Sequence, residues 1–316
     1  MMKPLKDIFT IITACALALA PLCGCQDMAP QAEEHFLSVA ATVGGATKGT
    51  PLTAVPDAFS VWGYVWPSSG AQGTPNWMCG ETFTKDGTLW KSARRHGNIP
   101  PGYSMRLWAQ GPVGATGVSG LPLAATTTAP GFSYICPASV AAQQDVIVAY
   151  GEAYDVQPAA FPLAFRHALS CVLFRTSATS VPACTVKSIT VSGLRSSGTY
   201  AEGAGWSALS GSASYVITPN KVLTTASVDV QINSDAESMI LVPQTIPAGA
   251  KVTVVYDVNG TEYSEDADIA GIELPMGYKV VLRLELPDVA PGDLSVTASV
   301  RKWTAGAEFN AGIGGL

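Results

Sequence analysis

The chain has 316 residues, with 24 Asp and Glu against 18 Lys and Arg and a formal net charge of −6 at pH 7. That acidic balance excludes nucleic acid as a natural partner, because phosphate recognition needs clustered Lys and Arg. Charged residues make up only 13%, while 31 Gly and 22 Pro punctuate short runs rich in Val, Thr and Ser; the mixture predicts an all-β chain with many turns. The length exceeds one ordinary domain, so two are expected.

The chain opens on Lys3 and Lys6, followed by an apolar segment from Ile8 to Leu22 and then small residues. A basic start, an apolar middle and a small-residue end mark a secretory signal. The apolar part is too short to serve as a permanent membrane helix. Leu22-Cys23-Gly24-Cys25 looks like a lipobox, the motif after which a signal is cut and the cysteine acylated. Residues 1–24 therefore read as a lipoprotein signal peptide and Cys25 as the lipidation site. Of seven cysteines, Cys15 and Cys23 leave with the signal, and Cys79, Cys136, Cys171 and Cys184 remain beside Cys25. In an oxidising compartment an even number suggests disulfides. Cys171 with Cys184 is the first pairing expected, through a hairpin, with buried free thiols as the alternative. With no C-x-x-C pair and three histidines, a metal site is not expected.

From His35 to Val43, Leu37, Val39, Ala41 and Val43 alternate with Ser38, Ala40 and Thr42, the period of a half-buried strand. Gly44-Gly45 ends it, and Lys48-Gly49 follows in a small, polar setting open to a protease. A second strand is expected over Phe59–Trp66, and others around Thr82–Trp90 and Ser104–Ala109. Arg94-Arg95 reads as solvated loop charge. Asp145-Val146-Ile147-Val148-Ala149-Tyr150 reads as a buried strand, and the Pro158 and Pro162 region as a domain boundary.

The second half opens on Leu163–Phe174 and continues through short strands at Val186–Val191, Ser214–Ile217, Ser227–Ile232 and Ser238–Val242. Asn259-Gly260 between Val252–Val258 and Thr261–Glu265 predicts a hairpin with a type I′ turn. Tyr278–Leu286 and Leu294–Val300 close the half. The apolar phase then flips across Arg301-Lys302: Trp303, Ala305, Ala307, Phe309, Ala311 and Ile313 fall on one face of a candidate terminal strand.

A search for reaction chemistry finds no catalytic candidate. No G-x-S-x-G elbow and no P-loop is present. His167 lies in an apolar run and reads as a core histidine, Glu265, Asp266 and Asp268 as an exposed acidic turn. Trp62, Trp66, Trp77, Trp90 and Trp108 could stack on sugar rings, but most are expected in the core. No cofactor is expected.

Several of these segments, in this order, resemble the fimbrillin family, the Mfa-like lipoproteins that form pili in certain Gram-negative anaerobes. The carriers are Cys25 in its lipobox, Thr47-Lys48 after a strand, Phe59-Ser60-Val61-Trp62-Gly63-Tyr64, Asp145–Ala149, Phe165-Arg166-His167-Ala168-Leu169-Ser170, Met239–Thr245 and the late Trp303. The resemblance implies two transthyretin-like β-sandwiches in tandem, here residues 49–158 and 159–316, after a lipidated pro-segment at 25–48. It implies a precursor held on the outer membrane by lipid at Cys25, and a trypsin-like protease that cuts between Lys48 and Gly49, where the family more often carries arginine. Removing the strand of Leu37, Val39, Ala41 and Val43 would open a groove for another subunit's Trp303–Leu316 segment. Its partners would be other pilus subunits and its final place the cell-surface pilus. A subunit left uncut would stay on its lipid as an anchor; a non-polymerising, glycan-binding surface lipoprotein is the other alternative. Burial of Leu37, Val39 and Val43 is worth about 1.5–3 kcal/mol each, comparable in sum to much of a domain's stability of about 5–15 kcal/mol.

Overall fold

The computed structural model describes residues 34–43, 54–69, 77–97, 101–122, 131–154, 159–177, 183–286 and 292–303, with residues 52 and 99 besides. Residues 1–24, Cys25, Lys48-Gly49 and residues 304–316 lie outside the described residues. In chain order the first strands are β1 (Glu34–Val43), β2 (Ala58–Pro67), β3 (Met78–Asp86), β4 (Leu89–Gly97) and β5 (Tyr103–Gly111). Next come β6 (Val118–Ser119), β7 (Gly131–Ile135), β8 (Ile147–Tyr154) and β9 (Phe161–His167). The chain continues as β10 (Ser170–Ser177), β11 (Cys184–Leu194), β12 (Ser197–Ala201), β13 (Gly205–Ser210), β14 (Ala213–Ile217) and β15 (Lys221–Leu223). Short β16 (Val230–Gln231), β17 (Met239–Leu241) and β18 (Gln244–Thr245) precede β19 (Lys251–Val258) and β20 (Thr261–Asp268). The last are β21 (Glu273–Leu274), β22 (Tyr278–Glu285) and β23 (Ser295–Lys302). Two single-turn 3-10 segments are the only helical pieces among the described residues, so the all-β expectation holds.

Seven strands close into a barrel in the order β1-β4-β3-β2-β5-β8-β9. Every pairing around this ring is antiparallel except the seam, where β1 runs parallel to β9. Leu37, Val39, Phe59, Val61, Phe83, Trp90, Leu107, Ile147, Phe161, Leu163 and Phe165 fill its interior.

The other sheets run β16-β10-β22-β23, β14-β11-β19-β20, β13-β12-β7-β6 and the short pair β18-β21, and their inner residues share one second core. The barrel strand β8 belongs to both cores. Ile147 and Ala149 point into the barrel, while Val146 and Val148 pack into the second core. This double burial is the physical reason for the unbroken apolar run after Asp145.

Three expectations change. Thr82–Trp90 is not one strand but the β3–β4 hairpin, turning at Gly87 with φ +65°, so Arg94 and Arg95 stand on β4 rather than in a loop. The boundary expected at 158/159 falls between two paired staves of one barrel, because β9 pairs with β8 and β1. The disulfide between Cys171 and Cys184 is not formed; both thiols are free and buried. The hairpin imagined between them does not exist, since β10 and β11 belong to different sheets. Burial instead pushes the Cys171 thiol up to about 12, which keeps it protonated.

Candidate functional site at the first strand and its junction

β1 is the stave that completes the ring. It pairs with β4 from Glu34 opposite Gly97 to Val39 opposite Trp90, with a register shift between Phe36 and Ser38. On its other edge Val39, Ala41 and Val43 stand opposite Phe161, Leu163 and Phe165 of β9. Alternation decides what each residue meets. Leu37 and Val39 are 2% and 0% exposed, and Ala41 and Val43 pack half-buried against the same interior. Removing β1 would uncover a long apolar groove between two unpaired strand edges, the arrangement that templates strand addition.

The β4 wall of this groove carries polar groups that sequence reading missed. Leu37 N–H donates to Ser92 Oγ at 2.9 Å, and that hydroxyl donates to Arg94 O at 2.7 Å. Glu81, buried beneath β4, accepts Arg94 N–H at 2.9 Å and lies 3.0 Å from His96 Nε2. Burial alone would raise the Glu81 carboxyl. The contact with His96, the Arg94 N–H and the nearby Arg94 guanidinium outweigh it and hold the group below its ordinary value. Above this cluster the Arg95 guanidinium sits 5.3 Å from the Phe36 ring centre.

A second cluster lies just past the end of the β1–β9 pairing, where Val43 stands opposite Phe165. His167 ends β9, and its Nδ1 lies 2.6 Å from Asp145 Oδ2, with the two side chains 2% and 0% exposed. The same oxygen accepts Leu52 N–H at 3.1 Å. Burial raises the Asp145 carboxyl, and the contacts from His167, Leu52 and Val146 pull it only part of the way back. The Trp303 ring stacks on His167 at 3.9 Å with an interplanar angle of 5°. Trp303 N–H donates to Gly277 O at 2.8 Å, and Gly277 itself has φ +75°, a conformation that glycine adopts freely.

Of the residues singled out from sequence, Leu37, Val39, Ala41 and Val43 come together on one wall of the barrel. Trp303 is only 2% exposed and joins the second core of its own chain. Ala305, Ala307, Phe309, Ala311 and Ile313 lie outside the described residues, as do Cys25, Lys48 and Gly49. Trp62, Trp66, Trp90 and Trp108 are buried, as expected of core residues, and Trp77 is half-buried. Glu265, Asp266 and Asp268 lie on the edge strand β20 rather than in a turn. Among the described residues no group of three or more His, Cys, Asp or Glu could hold a metal ion.

A family model described as fimbrillin-like matches residues 46–303, well over half of the chain. Among solved structures, a fimbrial protein from Bacteroides vulgatus aligns with a TM-score of 0.59 and 14% identity, over 84% of this chain and 99% of that one. A candidate cell adhesion protein from Bacteroides ovatus aligns with a TM-score of 0.56 and 13% identity, over 87% of this chain and 100% of that one. At these identities the likeness is one of fold. No curated protein matches the sequence.

Proposed function

The chain belongs to the fimbrillin-like family, and from that premise we propose that it is a structural pilus subunit exported as a lipoprotein. In this reading Cys25 carries the lipid that holds the precursor on the outer membrane, and a trypsin-like protease cuts at Lys48-Gly49. Loss of β1 opens the barrel, and the Trp303–Leu316 segment of another subunit fills the groove. Its role is structural rather than catalytic, with other subunits as its partners on the cell surface. Two transthyretin-like units in tandem complete this picture of the subunit.

The placement of β1 supports the reading. The strand nearest the lipidation motif is also the barrel's seam, flanked by two different strands and joined to β9 by the ring's parallel pairing. A peripheral strand could be lost with little consequence. This one takes Leu37 and Val39 out of the core, a loss of about 3–6 kcal/mol in burial, and leaves two open edges that favour replacement.

The test is the N-terminus of the surface-exposed form by mass spectrometry. Gly49 is the expected first residue, and Lys48→Gln should leave the chain uncut and unassembled. A surface form in which acylated Cys25 and the folded domains stay on one polypeptide would overturn the exchange mechanism and favour the anchor.

A further inference from the structure

The outer face of β5 meets the second core along an aromatic cleft. Leu107 and Ala109 point into the barrel, so Trp108 and Gln110, which alternate with them, project outward. Together with Trp62 of β2, Phe132 of β7, Tyr200 of β12 and the adjoining Glu202, they line a space of about 270 Å³, part of it open to solvent. Its enclosed part has room for one water-sized group. Trp108 and Gln110 are 5% and 4% exposed. Among the described residues, the Trp108 indole N–H has no acceptor and the Gln110 Oε1 atom has no donor. The amide nitrogen of Gln110 donates to Pro112 O at 3.3 Å, which leaves the oxygen as the atom to be matched. Buried polar atoms ordinarily find partners. One donor and one acceptor left over in the same cleft call for a group that supplies both.

We propose that this cleft binds a neutral pyranose, the end of a glycan, with one sugar hydroxyl seated between Trp108 and Gln110. A hydroxyl both accepts and donates, so it takes the indole N–H and gives its own proton to the amide oxygen. Aromatic walls with a few placed polar groups are the usual make-up of a small-molecule site, and the C–H face of a pyranose suits them. Tyr150 stands opposite Trp108 on β8 with the ring centres 5.7 Å apart, and at 37% exposure it offers further aromatic surface outside the enclosed part. Charge selects against acidic sugars. Glu202 lines the cleft, and the neighbouring guanidinium groups are already paired, Arg166 with Glu202 at 2.6 Å and Arg106 with Glu152. The proposal goes beyond the pilus reading and stands whether or not β1 is exchanged, because Trp108 and Gln110 face away from the interior that β1 completes.

The test follows the tryptophan indole N–H signals of the full chain carrying Cys25→Ser by heteronuclear NMR, with Trp108→Phe identifying the Trp108 signal by its loss. The probes are the methyl pyranosides of glucose, galactose and mannose. At least one should shift the Trp108 signal saturably, with a Kd of millimolar order for a ligand of this size, and should show nuclear Overhauser contacts from its ring protons to the indole proton. Gln110→Met keeps the volume and removes the acceptor; it should weaken binding about three- to tenfold, the loss of one hydrogen bond. The methyl glucuronide should bind several-fold more weakly than the methyl glucoside. No shift at about 0.1 M of any glycoside, saturating for a millimolar site, would overturn the proposal. An equal response to ethylene glycol, which has hydroxyls and no ring, would show that the cleft exchanges water for any alcohol and would overturn the sugar site. Binding without contacts to the indole proton, or unchanged in a folded Gln110→Met variant, would put the ligand elsewhere and overturn it as well.

Discussion

The first and last strands of the described fold share an alternating pattern, yet the protein holds them in opposite ways. β1 has a neighbour on each edge and sends Leu37 and Val39 into the barrel at 2% and 0% exposure. β23 pairs along its whole length with β22 alone, and its side chains run from half-buried to exposed, with Val300 at 45%. The residue that follows it compensates: Trp303 stacks on His167 just beyond the end of this lightly packed strand. Alternation therefore marks a strand without saying how firmly it is held. Firmness comes from the second edge and from the surface opposite.

Substitutions can break this contrast. Trp303→Ala should have the largest effect, about 3–5 kcal/mol by chemical denaturation, because it removes a fully buried indole and the stack that covers His167. Leu37→Ala should follow at about 2–5 kcal/mol. Val300→Ala, on the exposed strand, should cost about 0.5 kcal/mol or less. If Val300→Ala destabilised as much as Leu37→Ala, β23 would be an integral stave and the asymmetry between the two ends would be lost. If Trp303→Ala cost no more than Val300→Ala, the junction would not be what fixes the last strand.

Local pattern carried the elements well. The alternation of His35–Val43 located β1 to within a residue, and Asn259-Gly260 located the β19–β20 hairpin, where both residues have positive φ as a type I′ turn requires. The β3–β4 hairpin was legible too, through Asp86-Gly87, a turn signal of the same kind set in a more polar run. What the sequence could not carry was pairing between distant strands. Nothing local in Phe161–His167 reveals that it runs parallel to β1, and Pro158 and Pro162, before it and within it, suggested a boundary rather than a barrel seam. Glu81 and His96 come from the two arms of one hairpin and meet only through its register. Asp145, His167, Leu52 and Trp303 come from four separate segments, so the junction is a product of the tertiary fold. His167 read correctly as a core histidine because an apolar run left it no solvent, but its partner was out of sight.

The two histidine–carboxylate pairs sharpen the contrast at smaller scale, because their carboxyls are shifted in opposite directions. Glu81 is held below its ordinary value in the folded state. Its contribution to stability is full above the unfolded value and is lost as pH falls through the folded one. Asp145 is raised, so between its unfolded and folded values the native state keeps a proton that the unfolded state has released. Falling pH therefore favours the fold at Asp145 while it weakens the fold at Glu81. Acid should loosen the β1–β4 wall before the His167 junction. Amide exchange corrected for intrinsic rates should show Leu37 and Arg94 losing protection first, and Leu52 and Trp303 last. Glu81→Gln should cost about 1–3 kcal/mol at neutral pH through the lost charge-assisted hydrogen bonds and should flatten the acid limb of the stability curve. Asp145→Asn should instead steepen that limb, since it removes the one group of the two that gains from acid. An unchanged acid limb in the Glu81→Gln variant would show that the groove wall draws its strength from apolar contacts alone, and that the polar cluster behind β4 plays no part in holding the first strand.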